Sequence, residues 1–267
     1  MTTTHSKNEL LVDVKNVSLS YDKLILRDIN FQIHNIVRPG LNQGQVISLI
    51  GRSGIGKTQL FKMLAGLIEP TTGTINIGID QHPVQAGDVG IVAQNYILFT
   101  HRTIHENLRL AMKHDSIKIS DKEKDDLIAD YAEKFDLKEH LKKYPMQLSG
   151  GQRQRVSIIQ QVLTGNKFIL LDEPFSGLDA LIIDKVINLL LKISTLDELN
   201  TLVIISHDVE NSLAISDTAF ILAREKDKEG ATITETLDLI QLGLAWNPKI
   251  REEAQFQHLV SQIKHKI

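Results

Sequence analysis

The chain has 267 residues, of which 42% are hydrophobic and 24% charged, the balance of an ordinary globular protein of one large or two small domains. A net charge of -3 leaves no basic footprint for nucleic acid, and the absence of cysteine excludes disulfides, zinc–thiolate centres and thiol catalysis. No run approaches the ~20 apolar residues of a membrane helix, since the best candidate, Leu181 to Ile193, contains Asp184 and Lys185.

The first residues, Met1 to Glu9, are polar and read as a frayed tail rather than a signal peptide. Leu10 to Tyr21 alternates (Leu10, Val12, Val14), which predicts an antiparallel β part. Apolar runs bounded by turn residues then recur at Val46 to Ile50, Val89 to Ala93, Phe168 to Leu171, Leu202 to Ile205 and Ala219 to Ala223, the signature of buried strands. Helical spacing follows Thr58 (Leu60, Phe61, Leu64, Leu67) and Asp179 (Leu181, Ile182, Val186, Leu189, Leu190). Strands alternating with helices predict a mostly parallel α/β sheet. From about Asn95 to Asn166 no strand-like run occurs, and Leu127, Ile128, Tyr131 and Phe135 fall at helix spacing, so a helical subdomain is expected inside the α/β core. After Arg224 comes a charged turn, Glu225 to Gly230, and beyond it only short elements are predicted.

Gly51-Arg52-Ser53-Gly54-Ile55-Gly56-Lys57-Thr58 fits G-x-x-x-x-G-K-[ST] between a predicted strand and a predicted helix, the context that gives the pattern meaning. By average composition such a match arises by chance in about one chain of this length in a hundred, and the flanking elements reduce that further. Small residues let backbone N–H groups turn towards phosphate oxygens, and the helix start adds its positive end. Lys57 supplies a charge for the outer phosphates, and the Thr58 hydroxyl is a Mg²⁺ ligand.

Phe168 to Leu171 ends in Asp172-Glu173. A buried parallel strand delivers its last residues to the crevice where α/β folds bind ligands. Asp172 is placed to hold Mg²⁺ and Glu173 to orient or deprotonate a water. Alone, a strand ending in a solvated Glu-Pro turn would explain the pair equally well; beside a phosphate loop it does not.

Leu148-Ser149-Gly150-Gly151-Gln152 closes the predicted helical insert. Ser149 and Gln152 make an S-x-x-Q capping pattern, and two glycines leave the helix N–H groups bare, a second anion-binding terminus. A phosphate loop, then Leu-Ser-Gly-Gly-Gln, then an apolar strand with Asp-Glu resembles the nucleotide-binding subunit of ABC transporters. The resemblance runs from about Leu10 to Ala223. It implies a P-loop NTPase (RecA-like) core over residues 1–223, with an antiparallel N-terminal part, a helical insert at about 95–166 and a short extension at 224–267.

By that resemblance, Gly51, Ser53, Gly54, Gly56, Lys57 and Thr58 bind the phosphates of ATP, and Tyr21 stacks on adenine. Gln94 senses Mg²⁺ and the γ-phosphate, Thr58 and Asp172 complete the metal set, and Glu173, Gln94 and His207 serve the chemistry. Ser149, Gly150, Gly151, Gln152 and Asp179 (in Ser176-Gly177-Leu178-Asp179) act across a head-to-tail pair on the nucleotide of a second copy or a related subunit. Residues Tyr96 to Glu106 face transmembrane permease subunits, and the protein works in the cytoplasm, peripheral on the membrane. The form of these motifs is similar to bacterial importer ATPases. A non-transport relative, such as an iron–sulfur assembly ATPase, is the alternative. A non-hydrolytic binding module is opposed by Glu173, and a P-loop kinase would not need the signature helix. Three departures from the family pattern stand out. His34 to Gly44 is longer than the usual turn and predicts a loop or bulge, Gln160 stands where many relatives have arginine, and the extension is too short for the added β-domain of some sugar importers.

Overall fold

Two hydrophobic patterns build two sheets. The computed structural model describes residues 5–38, 40–41, 43–112 and 119–267. Its strands are β1 (Ser6–Ser20), β2 (Leu24–Val37), β3 (Gln45–Ile50), β4 (Thr72–Ile77), β5 (His82–Pro83), β6 (Gly90–Val92), β7 (Phe168–Asp172), β8 (Thr201–Ser206), β9 (Thr218–Ala223) and β10 (Thr232–Asp238). Its α-helices are α1 (Lys57–Leu64), α2 (Ile104–Ala111), α3 (Asp121–Lys134), α4 (Gly150–Leu163), α5 (Ala180–Ser194), α6 (Val209–Ile215) and α7 (Ala254–Lys266).

The alternating N-terminal strands form an antiparallel sheet in the order β2-β1-β4-β5. The continuous apolar runs form a second sheet, β10-β9-β3-β8-β7-β6, parallel except for β10. All six residues of β3 are buried, as expected of a parallel strand covered on both faces. One core lies between the two sheets around α1, where Phe31 of β2 meets Phe220 of β9 with ring centroids 4.7 Å apart. A second packs α2 to α5 on the opposite face of the parallel sheet, and a third joins β9 and β3 to α6 and α7.

The expected insert between β6 and β7 is helical, with no strand among its described residues. Its helices begin on side-chain caps: Thr103, Ser120 and Ser149 each form a reciprocal box with the residue three positions on.

Two expectations need correction. Ser6 to Glu9 are not frayed: they extend β1 and pair with the end of β2, as Ser6 does with Val37. The connection after His34 holds the expected small loop: β2 continues to Val37, and just beyond it the Leu41 N–H bonds the Arg38 carbonyl at 3.1 Å. Beyond Gly230 the elements are not short: β10 joins the main sheet along β9, and α7 has 13 residues. No described helix is long and apolar enough to cross a membrane.

Candidate nucleotide site

The phosphate loop springs from the C-terminal end of β3. The Gly51 N–H bonds the Ser206 carbonyl at 3.2 Å, which ties the start of the loop to the end of β8. Gly56 caps α1 at φ +118, a conformation closed to side chains, and a Cβ there would lie 2.9 Å from Leu26 Cδ2. Glycine at this position therefore lets the loop backbone lie against the N-terminal sheet. Lys57 is only 8% exposed. Its ammonium donates to the Gly51 carbonyl at 2.7 Å and the Arg52 carbonyl at 3.2 Å, and lies 3.4 Å from Glu173 Oε1.

Strand pairing brings the acidic pair alongside. Asp172 ends β7 next to Ile205 of β8, and Glu173 follows at φ +49 with its N–H on the Ile205 carbonyl at 2.8 Å. That left-handed turn swings the Glu173 carboxylate back over the end of β8. Glu173 Oε2 accepts from Ser206 Oγ at 2.9 Å and the His207 N–H at 3.3 Å, and lies 2.9 Å from His207 Nδ1. Burial pushes the Glu173 pKa up, but the bonds from His207 and Ser206, together with Lys57, outweigh it, and the net shift is downward. Asp172 goes the other way: burial first, then the charge of Glu173, raise its pKa against the pull of Lys57. The pair thus holds one well-supported carboxylate and one under-compensated carboxylate, which no described residue hydrogen-bonds.

These groups surround a cleft of about 510 Å³. Tyr21, Ser53, Gly54, Gly56, Lys57, Thr58, Gln94, Asp172, Glu173 and His207, all anticipated from the sequence, line it, and the buried Gly51 lies at the foot of the loop. Tyr21 stands 62% exposed at the rim, its hydroxyl on Gln59 Oε1 at 3.2 Å. Gln94 Nε2 reaches Ser176 Oγ at 3.4 Å. A glycine-rich loop, a lysine at its end and an unbonded carboxylate beside a threonine hydroxyl fit a nucleoside triphosphate with a divalent cation.

Sequence reading missed Ser206, Gln59 and Ser176 as parts of this site. Ser206 directly precedes His207 and carried a usable signal; Gln59 and Ser176 become neighbours of Tyr21 and Gln94 only through the fold.

The signature residues do not line the cleft. Ser149 caps α4: its Oγ accepts the Gln152 N–H at 3.3 Å, and its own N–H donates to Gln152 Oε1 at 2.9 Å. Gln152 Nε2 meets His140 Nε2 at 2.9 Å, so both ends of that amide are engaged within the chain. A Cβ at Gly150 would meet no atom within 4 Å, which leaves the start of α4 open to approach. Asp179 caps α5, with Oδ1 on the Ile182 N–H at 3.0 Å.

The sequence profile of the ABC transporter family matches residues 34–176, more than half of the chain. The chain belongs to the ABC transporter family. Among relatives, the spermidine/putrescine import ATP-binding protein PotA of Fusobacterium nucleatum is 35% identical over 233 residues, 85% of this chain and 58% of that protein. The sulfate/thiosulfate import ATP-binding protein CysA of Mesorhizobium japonicum is 33% identical over 85% of this chain and 65% of its own length. The bicarbonate transport ATP-binding protein CmpC of Synechococcus elongatus is 34% identical over 80% of this chain and 32% of its own length. The chain therefore spans between about a third and two thirds of the curated relatives it matches.

Solved ABC structures agree in fold. CbiO1 from Clostridium perfringens, part of a CbiONQ transporter complex, aligns over 96% of this chain and 100% of its own, with a TM-score of 0.75 at 21% identity. The ATP-binding cassette MJ0796, in a dimeric post-hydrolysis state bound to ADP and Pi, aligns over 86% of this chain and 99% of its own, with a TM-score of 0.67 at 25% identity. Within this ABC fold Gln160 has a packing role: it is buried, and its Nε2 donates to the Asn107 carbonyl at 3.2 Å, joining α4 to α2.

Proposed function

We propose that the chain is an ATP-binding and ATP-hydrolysing subunit that pairs head to tail with a second copy or a related subunit. The pair drives a bacterial importer from the cytoplasmic face, through permease subunits. One observation carries this reading: the cleft gathers every catalytic candidate on one side, while the open, glycine-bearing start of α4 stands outside it. A helix terminus of that kind, turned away from the cleft of its own chain, suits the phosphates held by a partner. The relatives named for import favour transport over the non-transport alternative.

Within the cleft, the loop N–H groups and Lys57 hold the phosphates, and the Tyr21 ring offers a face to the base. Thr58, Asp172 and Gln94 would hold Mg²⁺, whose positive charge favours displacement at the γ-phosphorus. Glu173, with its lowered pKa, is ionised and accepts the proton side of the attacking water as that water's oxygen approaches phosphorus and ADP leaves. His207 Nδ1–H can hold the Glu173 carboxylate, and with both ring nitrogens protonated its Nε2–H, on the opposite side of the ring, could also donate to a phosphate oxygen. Ser149, Gly150, Gly151 and Asp179 complete the second wall from the partner, and Gln152 supports it indirectly by fixing the start of α4.

A groove of about 560 Å³ runs beside α2 and α4. Its rim includes Ile97, 74% exposed, and Phe99, 47% exposed, both within the segment assigned to the permease. Large apolar side chains left bare suit a membrane-subunit contact.

Glu173→Gln tests the assignment. It should bind ATP within a few-fold of wild type, because Lys57 and Asp172 remain, while turnover falls by roughly 10²–10⁴. Steady-state hydrolysis within a few-fold of wild type would remove Glu173, and with it the proposed chemistry.

A further inference from the structure

The turn after β2 and the segment after β10 lie apart from the nucleotide chemistry, and they meet. Arg38 lays its guanidinium over the Trp246 ring, 3.7 Å from the centroid. The indole N–H donates to Asp217 Oδ1 at 2.5 Å, and Asp217 Oδ2 accepts the Val46 N–H at 2.7 Å. Val46 is at the N-terminal end of β3, whereas the phosphate loop leaves the opposite end. Arg38 and Trp246 open onto a cavity of about 680 Å³ between α5, the end of α6 and residues 246–251, larger than the nucleotide cleft.

The two arginines that line this cavity differ. Arg251 is paired: Nη1 bonds Asp184 Oδ1 at 2.8 Å and Nη2 bonds Asn211 Oδ1 at 2.7 Å. Arg38 is 8% exposed, yet no described carboxylate lies within ion-pair distance of it. Asp217 acts on it only through space, and its two oxygens are taken by the Trp246 and Val46 N–H groups. Burial lowers the Arg38 pKa, and the charge of Asp217 only partly offsets this. An enclosed guanidinium with five donors and no paired anion is costly, and an oxyanion approaching from the cavity would relieve that cost with paired hydrogen bonds. Next to it, Ile187, Leu191, Ile215 and Ile250 give the cavity an apolar wall.

We propose that this cavity binds a small organic anion, an oxyanion head on a compact aliphatic body, with Arg38 as its anchor. The site is separate from the nucleotide cleft and does not depend on the ATPase reading.

Trp246 is the chain's single tryptophan, so intrinsic emission reports on this cavity directly. The purified full chain would be titrated with isovalerate, monobutyl phosphate and butanesulfonate, with inorganic phosphate and sulfate as bodiless probes. A saturable emission change is expected with at least one organic anion, at least tenfold tighter than with either inorganic ion. Arg38→Gln should weaken it at least tenfold, and Lys57→Ala, which disables the phosphate loop, should leave it unchanged. If circular dichroism shows Arg38→Gln unfolded, Asn188→Phe decides. Asn188 is an exposed residue of α5 at the cavity, and filling the mouth there should abolish the response. No saturable change with any organic probe, a change that survives both variants, or inorganic ions binding as tightly as organic ones would overturn the proposal.

Discussion

Tyr21 shows how a side chain can be fixed without being buried. Its hydroxyl is tied to Gln59, one residue into the helix after Thr58, while the ring face stays open at the rim of the cleft. An immobilised, bare ring loses little entropy when a flat base lies on it. Tyr21→Ala should weaken ATP binding by about 1–2 kcal/mol, with turnover at saturating ATP near wild type. Calorimetry giving equal affinity for mutant and wild type would make the ring merely structural. Most of the site was legible because its residues fall inside motifs with fixed spacing. Gln59 and Ser176 were not, because their meaning lies in the distance to another chain segment. The amide of Gln152, a residue read as a nucleotide contact from its place in the motif, bonds Ser149 and His140 within the chain.

At the scale of elements, the buried parallel strands were legible because both of their faces are apolar, and a continuous run survives any error in register. The added ends of β1 and β2 were not. Ser6 to Glu9 are joined to the sheet by backbone pairing while their side chains face solvent, so composition carries no trace of the strand. Helix α7 did carry a pattern, Phe256, Leu259, Val260 and Ile263 at i, i+3, i+4 and i+7, but Glu253 makes no side-chain cap, so its start was unmarked. That face enters the same core as Ile50, Val209 and Ile221. Phe256→Ala should therefore cost about 3–5 kcal/mol of stability, with ATP affinity of the folded protein within twofold of wild type. Urea unfolding that shifts by less than about 1 kcal/mol would show α7 to be a loosely attached appendage. A link in the other direction runs through α4: buried Gln154 donates to the Pro174 carbonyl at 2.9 Å, joining the signature helix to the turn after Glu173.

For the whole molecule, the proposed sharing of sites between two subunits has a test that no monomeric P-loop enzyme could pass. Lys57→Ala disables the phosphate side of a chain's own site, and Ser149→Arg places bulk and charge on the partner's. A mixed pair then contains one site with both lesions and one with neither. Mixing two nearly inactive proteins should restore part of the ATPase rate, more so with the membrane partner present. Stable mixed dimers that stay inactive and bind no ATP at the unaltered site would remove the head-to-tail arrangement. The strand order has a further consequence, at the ribosome. β3 is flanked by β8 and β9, and both follow it by at least roughly 150 residues, so at about 5–20 residues per second it waits for partners for on the order of 10–30 s. During that interval a six-residue strand that is buried in the finished fold, together with the glycine loop hanging from it, has no sheet to join. The newly made chain should therefore need shelter from a holding chaperone through most of its synthesis, although the finished protein keeps that strand fully covered.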